Sequence, residues 1–104
     1  MKLRFTAPAL ARLDDILLAL LDVNPFAAER YRRQIGKAVD RLKRFPRLGG
    51  RVAEFPHLPL RQVIVEPYRI FYFVDEGADT VWIVGAWHGA QLPRAPQLPP
   101  LSKR

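Results

Sequence analysis

The chain contains no cysteine, a single serine (Ser102) and only two histidines, His57 and His88. Without cysteine there is neither a disulfide framework nor a thiolate metal site, and the composition fits a reducing compartment, so a cytoplasmic location is expected. The two histidines, with Glu54, Glu66 and Asp75, show no metal-ligand spacing, and no metal is expected. The lone serine lies in the proline-rich tail, which makes a Ser-His-Asp triad implausible. Gly49-Gly50 lacks the following Lys-Ser or Lys-Thr of a phosphate-cradling loop, so no nucleotide cofactor is expected. Long apolar runs are missing as well. The most apolar window, Ile16 to Leu21, is bracketed by Asp14, Asp15 and Asp22 and is far too short to span a bilayer. Met1-Lys2-Leu3-Arg4-Phe5 is not the opening of a secretory signal. A soluble protein with no membrane partner is expected.

Negative charge is the other shortage. Seventeen Lys+Arg face ten Asp+Glu, for a formal net charge of +7 and a pI near 10.6. Such an excess attracts nucleic acid, an anionic surface or an acidic protein. It is concentrated from Arg30 to Arg51, where Arg30, Arg32, Arg33, Lys37, Arg41, Lys43, Arg44, Arg47 and Arg51 meet Asp40 alone. A solvated helix face and a binding footprint are the two readings of that run. At 104 residues and 49% apolar composition, the chain suits one domain with a proper core.

Leu3 and Phe5 alternate with Lys2 and Arg4, the period of a short half-buried strand. Thr6 can cap a helix with Pro8 in its first turn, whose stripe is Leu10, Leu13, Ile16, Leu17, Leu20 and Leu21. Asn24-Pro25 stops that helix and starts a second, with Asn24 as N-cap and Pro25 at the first helical position. The second helix buries Tyr31, Ile35, Ala38, Val39 and Leu42, while Arg30, Arg33, Lys37, Arg41 and Arg44 occupy another face. Phe45-Pro46 and Gly49-Gly50 end it. Val52 to Phe55 reads as a short strand, and Leu60 to Glu66 as another, broken at Pro67. Tyr68 to Val74 and Val81 to Trp87 flank a hairpin loop at 75–79, and their doubly apolar faces place them centrally in a sheet. The fold class is α+β, in the order β-α-α-β-β-β, with an αα-hairpin on one face of a small antiparallel sheet. Residues 1–91 make the domain. Residues 92–104 make a proline-rich tail expected to be extended or disordered.

Ribonuclease chemistry would need no nucleophile from the protein, only a base, an acid and cations around the phosphorane. Glu66 or His88 could be the base, His57 or His88 the acid, and Arg61 and Arg69 the stabilisers. Arg69 interrupts an apolar strand, where an unpaired guanidinium would be costly. It is therefore either paired with a carboxylate, with Glu66 and Asp75 near in sequence, or turned toward an anionic ligand. Trp82, Trp87, Phe71 and Tyr72 read as core or interface aromatics.

Several stretches, in this order and spacing, resemble the RelE/ParE superfamily of toxins from type II toxin–antitoxin systems. They are Leu3-Arg4-Phe5-Thr6, Asn24-Pro25-Phe26-Ala27-Ala28-Glu29-Arg30, Phe45 to Arg51, Leu60-Arg61, Tyr68-Arg69-Ile70-Phe71-Tyr72 and Val81 to Ala90. The ParE or plasmid-stabilisation branch is the nearer. The resemblance implies a cytoplasmic toxin neutralised by an antitoxin whose extended, often acidic segment wraps it. The ParE-like branch implies inhibition of DNA gyrase, and the RelE-like branch implies cleavage of mRNA on the ribosome, with Arg61, Arg69 and His88 as its catalytic candidates. Gln91 stands where many relatives carry arginine, and the tail supplies no tyrosine. The gyrase-directed reading is thereby favoured. Antitoxin or target contacts are expected at Arg30, Arg33, Lys37, Arg41, Arg44, Arg51, Arg61 and Arg69.

Overall fold

A computed structural model of the chain describes residues 1–100. Its elements are β1 (Lys2–Phe5), α1 (Ala7–Val23), α2 (Pro25–Asp40), a 3-10 turn at Arg41–Lys43, β2 (Gly50–Arg51), β3 (Arg61–Val65), β4 (Tyr68–Asp75), a second 3-10 turn at Glu76–Ala78 and β5 (Thr80–His88). The helices start where the caps predict. The Thr6 hydroxyl accepts the Ala9 N–H at 3.3 Å, and Asn24 Oδ1 accepts the Ala27 N–H at 3.1 Å. Asn24 also donates its backbone N–H to Leu20 O at 2.8 Å, so one extended residue closes α1 and opens α2. That shared cap sets the tight antiparallel hairpin.

The sheet order is β1-β5-β4-β3-β2. The two long apolar strands β4 and β5 lie inside it, as their doubly apolar faces require. Pairing is antiparallel except at one edge, where β1 runs parallel to β5 with Leu3 opposite Val81 and Phe5 opposite Ile83. This departs from the expected all-antiparallel sheet. A parallel neighbour needs a long crossover connection, and the helical hairpin begins that connection directly after β1.

The expected strand at Val52 to Phe55 is also corrected. The strand is Gly50–Arg51, and residues 52–60 form a turn-rich loop. The reason is the close approach at Gly49, where a Cβ would lie 2.3 Å from Gln62 O. Only glycine lets the backbone come against β3 at that point. Tyr72 fixes the approach: its hydroxyl accepts the Gly49 N–H at 2.9 Å and donates to Pro46 O at 2.7 Å.

Both faces of the sheet are covered. Leu13, Ile16, Tyr31, Ile35, Val39 and Leu42 from the helical layer meet Ile70, Tyr72, Val81 and Ile83 on one face. On the other face Val52, Leu60, Phe71, Phe73 and Val84 form a second cluster, with Phe55, Leu58, Trp82, Trp87 and Leu98 packed against it. A register shift on β5 separates the two, since Phe71 pairs with Gly85 and Tyr72 with Ile83, leaving Val84 to the second cluster. The loop 52–60 and the chain after β5 thus do for this face what a second helical layer would do. Residues 92–100 carry no helix or strand, and within them Leu98 and Pro96 lie against the sheet. Residues 101–104, the end of the expected tail, lie outside the described residues. Of the predicted α1 stripe, Leu13 and Ile16 are buried, whereas Leu10 and Leu21 stay about half exposed. Among the described residues, no helix is long and apolar enough to cross a membrane.

Candidate functional site

The basic run of the sequence becomes a single exposed face. Tyr31, Ile35 and Val39 turn the inner side of α2 to the sheet, so residues offset from them by one or two positions must point outward. Arg30, Arg33, Lys37, Arg41 and Arg44 are all exposed, at spacings of three and four along α2 and its 3-10 extension. Two neighbours are neutralised locally: Arg32 by Glu29 at 2.7 Å and Lys43 by Asp40 at 2.6 Å. Among the described residues, none of the five outward cations has an ion pair. Arg44 instead lies over the Phe45 ring, 5.7 Å from its centroid. Cations at the C-terminal end of α2 also sit favourably in the helix dipole.

The other three predicted contact residues are engaged within the fold. Arg61 donates through Nη1 to Gly49 O at 2.7 Å and to Arg47 O at 3.5 Å, holding the segment before β2. Arg51 reaches Leu58 O at 3.5 Å from an exposed position. Arg69 is the most constrained. It forms a two-pronged pair with Glu54, at 2.7 and 2.8 Å, donates through Nε to Gln62 Oε1 at 2.7 Å, and lies 5.1 Å from the Phe71 ring centroid. Its side chain keeps 14% exposure. The paired guanidinium, aided by a backbone hydrogen bond, holds the Glu54 carboxyl at about 2. The carboxylate partner is therefore Glu54, and not Glu66 or Asp75, which lie nearer in sequence. Folding the loop 52–60 over the second face brings Glu54 across from β4.

The residues considered for RNA cleavage are not brought together. His88 pairs with Tyr68 at one end of β5 and packs edge-on against its ring, 5.4 Å between centroids. Tyr68 in turn lies 6.2 Å from Tyr31, so this group belongs to the helical side of the sheet. Arg69, one position further along β4, points to the opposite side, as strand alternation demands. Arg61 is opposite Tyr72, four residues along β4 from Tyr68, which is roughly 13 Å at strand spacing. His88 Nδ1 accepts the Ala90 N–H at 3.1 Å. His57 and Glu66 are exposed on separate loops. Glu66, His57 and His88 thus do not face one another across a common space.

Sequence reading missed four features. Glu54 and Gln62 complete the Arg69 site, and nothing in their spacing announces it. Tyr31 donates its hydroxyl to Val65 O, and burial, followed by the neighbouring Tyr68, pushes its phenol up to about 12. Arg12 reaches from α1 to Ala86 O at 3.3 Å and lies 5.9 Å from the Tyr68 ring centroid. Finally, the outer side of the helical hairpin carries exposed Leu18, Leu21, Val23 and Phe26, the last 86% exposed. The exposed surface is therefore basic along α2 and apolar at the tip of the hairpin.

Comparison with known proteins agrees with this architecture. The chain matches the family model described as "ParE toxin of type II toxin-antitoxin system, parDE" over residues 3–93. A solved structure titled "Chromosomal ParDE TA system from P. aeruginosa" is similar to this chain with a TM-score of 0.70 at 24% sequence identity, covering 85% of this chain and 95% of that one. At that identity the likeness establishes the fold. The search of curated proteins finds no match.

Proposed function

The chain belongs to the ParE toxin family of type II toxin–antitoxin systems, and on that footing we propose that it acts by binding DNA gyrase and is neutralised by a cognate antitoxin. The toxin assignment follows from the family. Gyrase as the target and the bacterial cytoplasm as the place of action are the proposal.

The observation that carries the proposal is the state of Arg69. A guanidinium meant for a transferring phosphate must present its donors to the ligand. Here Nη1, Nη2 and Nε are already committed to Glu54 and Gln62. The histidine considered with it lies on the other side of the sheet. What is open to a partner is the α2 row of cations and the apolar hairpin tip, a combination suited to a protein surface with acidic and apolar patches. Arg30, Arg33, Lys37, Arg41 and Arg44 are the residues of that row, and Arg51, Arg61 and Arg69 act behind it as struts.

Gyrase-catalysed supercoiling of a relaxed plasmid tests this directly. The purified chain is expected to inhibit the reaction, and the antitoxin encoded beside it is expected to restore it. Undiminished supercoiling at high micromolar folded protein would falsify the gyrase reading.

A further inference from the structure

Beyond β5 the chain carries Pro93, Pro96 and Pro99, each three residues from the next. Proline fixes its own φ at about −65° and pushes the residue before it toward extended backbone. A run with this spacing favours the left-handed helix of about three residues per turn, which brings all three prolines to one side. Burial follows the same period. Pro93, Pro96 and Pro99 are half-buried, whereas Arg94, Ala95 and Gln97 between them are exposed. Leu98, the remaining half-buried residue, packs with Trp82 and Trp87 against the cluster on the second face of the sheet.

β5 provides the floor for this run. A Cβ at Gly85 would stand 3.8 Å from Pro96 Cβ and 3.7 Å from the indole Nε1 of Trp87. The missing side chain leaves a shallow slot walled by an indole, the kind of surface on which threefold proline helices dock. The chain's own segment fills that slot loosely. A hollow of about 260 Å³ remains beside Pro96 and Gln97, bounded by Gly85 and Trp87, with Arg12 of α1 as its one charged lining residue. Among the described residues, no hydrogen bond or ion pair engages residues 92–100, and Trp87 Nε1 donates to no acceptor. An indole N–H at a contact surface ordinarily finds an acceptor, and the threefold helix offers carbonyls that its own backbone does not use.

We infer that the Trp87 slot is a recognition site for proline-rich segments in the threefold left-handed conformation, and that residues 93–99 occupy it as an exchangeable ligand of the chain itself. Such a segment brings apolar rings whose backbone is ordered before it binds, which lowers the entropic cost of docking. A competing segment gains what the resident one leaves unused, the Trp87 donor and the space beside Arg12. Tethering holds the resident at roughly millimolar effective concentration, so the slot is closed until a stronger ligand arrives. This face is separate from the α2 row proposed to meet gyrase, and either reading can fail without the other.

The test uses the full-length chain, labelled at its indole nitrogens, and a synthetic peptide with the sequence of residues 92–100. A variant combining Pro93→Ser, Pro96→Ser and Pro99→Ser keeps its length but loses its own ligand. Its Trp87 indole resonance is expected to move, and trypsin is expected to cut it after Arg94 at least about fivefold faster than the wild type. The peptide is expected to bind this variant with a Kd of about 1 mM or tighter and to return the Trp87 resonance toward its wild-type position. The wild-type chain is expected to bind the peptide several-fold more weakly, because its own segment competes. Should the variant not fold, the movement of the wild-type Trp87 resonance under excess peptide decides. A Trp87 resonance unmoved by the three substitutions, or by several millimolar peptide, overturns the inference. Equal binding of a peptide with the three prolines changed to serine makes the slot a general apolar surface and also overturns it. Protection of the Arg94 bond that grows with protein concentration places the segment on a second copy and overturns its assignment to its own chain.

Discussion

Arg69 and Glu54 are fifteen residues apart and meet through two hydrogen bonds of 2.7 and 2.8 Å. The pair pins the loop 52–60 onto the second face of the sheet, where Val52 and Leu60 complete a small core. It also explains how a guanidinium is tolerated in an otherwise apolar strand: its stem packs, its ring neighbour is Phe71, and each nitrogen has an acceptor.

Truncation of this arginine should be felt as a loss of stability. Arg69→Ala is expected to cost about 1–2 kcal/mol, counting a charge-assisted pair discounted for solvent screening together with lost packing. Arg69→Lys keeps the charge but loses the fork, and is expected to recover only part of that. Urea denaturation of the three proteins checks the order. Equal midpoints for wild type and Arg69→Ala would show that the pair is a surface ornament of the loop.

The same pair predicts a pH dependence. Glu54 is depressed from 4.5 to about 2 by the Arg69 hydrogen bonds first and a backbone hydrogen bond second. A group whose folded value is depressed stabilises the fold fully above its unfolded value and progressively less as pH falls through the folded one. Stability is therefore expected to decline between pH 4.5 and 2, and Glu54→Gln is expected to flatten that decline relative to wild type. Thermal melts across this window compare the two slopes. Parallel acid limbs would place the acid sensitivity elsewhere.

Two glycines should respond in opposite directions to the same change. A Cβ on Gly49 would lie 2.3 Å from Gln62 O and 2.8 Å from the Tyr72 ring, so Gly49→Ala must push β2 off β3 and break the Tyr72 hydroxyl contact. A loss of about 2–4 kcal/mol is expected, in the range of severe overpacking with a lost buried hydrogen bond. Gly36 lies within α2 with nothing within 4 Å of its would-be Cβ. Gly36→Ala should stabilise by roughly 0.5–1 kcal/mol through helix propensity. Chemical denaturation of both variants reads the sign directly.

Charge reversal on the outer row of α2 separates binding from folding. Arg30→Glu with Arg33→Glu alters only exposed side chains that have no ion pair among the described residues. Stability is expected to change by no more than about 0.5 kcal/mol per site. Gyrase inhibition is expected to fall several-fold, with a weaker dependence on salt. Unaltered inhibition at low ionic strength would remove this row from the target interface.

Local structure was legible from residue type because its causes are local. Thr6, Asn24 and Pro25 set the helix ends, the spacing of Tyr31, Ile35 and Val39 set the inner face of α2, and the doubly apolar β4 and β5 had to lie inside the sheet. The five outward cations followed from that same helical period. The glycine pair before Arg51 was read as a helix stop, while its larger role, a close approach to Gln62, depends on a strand that comes later in the chain.

What sequence determined about this protein is thus its two helices, its β1, β3, β4 and β5 strands, its basic face and its family. Tertiary structure alone decided the rest: that Arg69 is matched to Glu54, and that His88 and Arg69 fall on opposite sides of the sheet. Each depends on the pairing of segments far apart in the chain. Helical and strand periods fix which way a side chain points within its own element, but not which other element it will meet there.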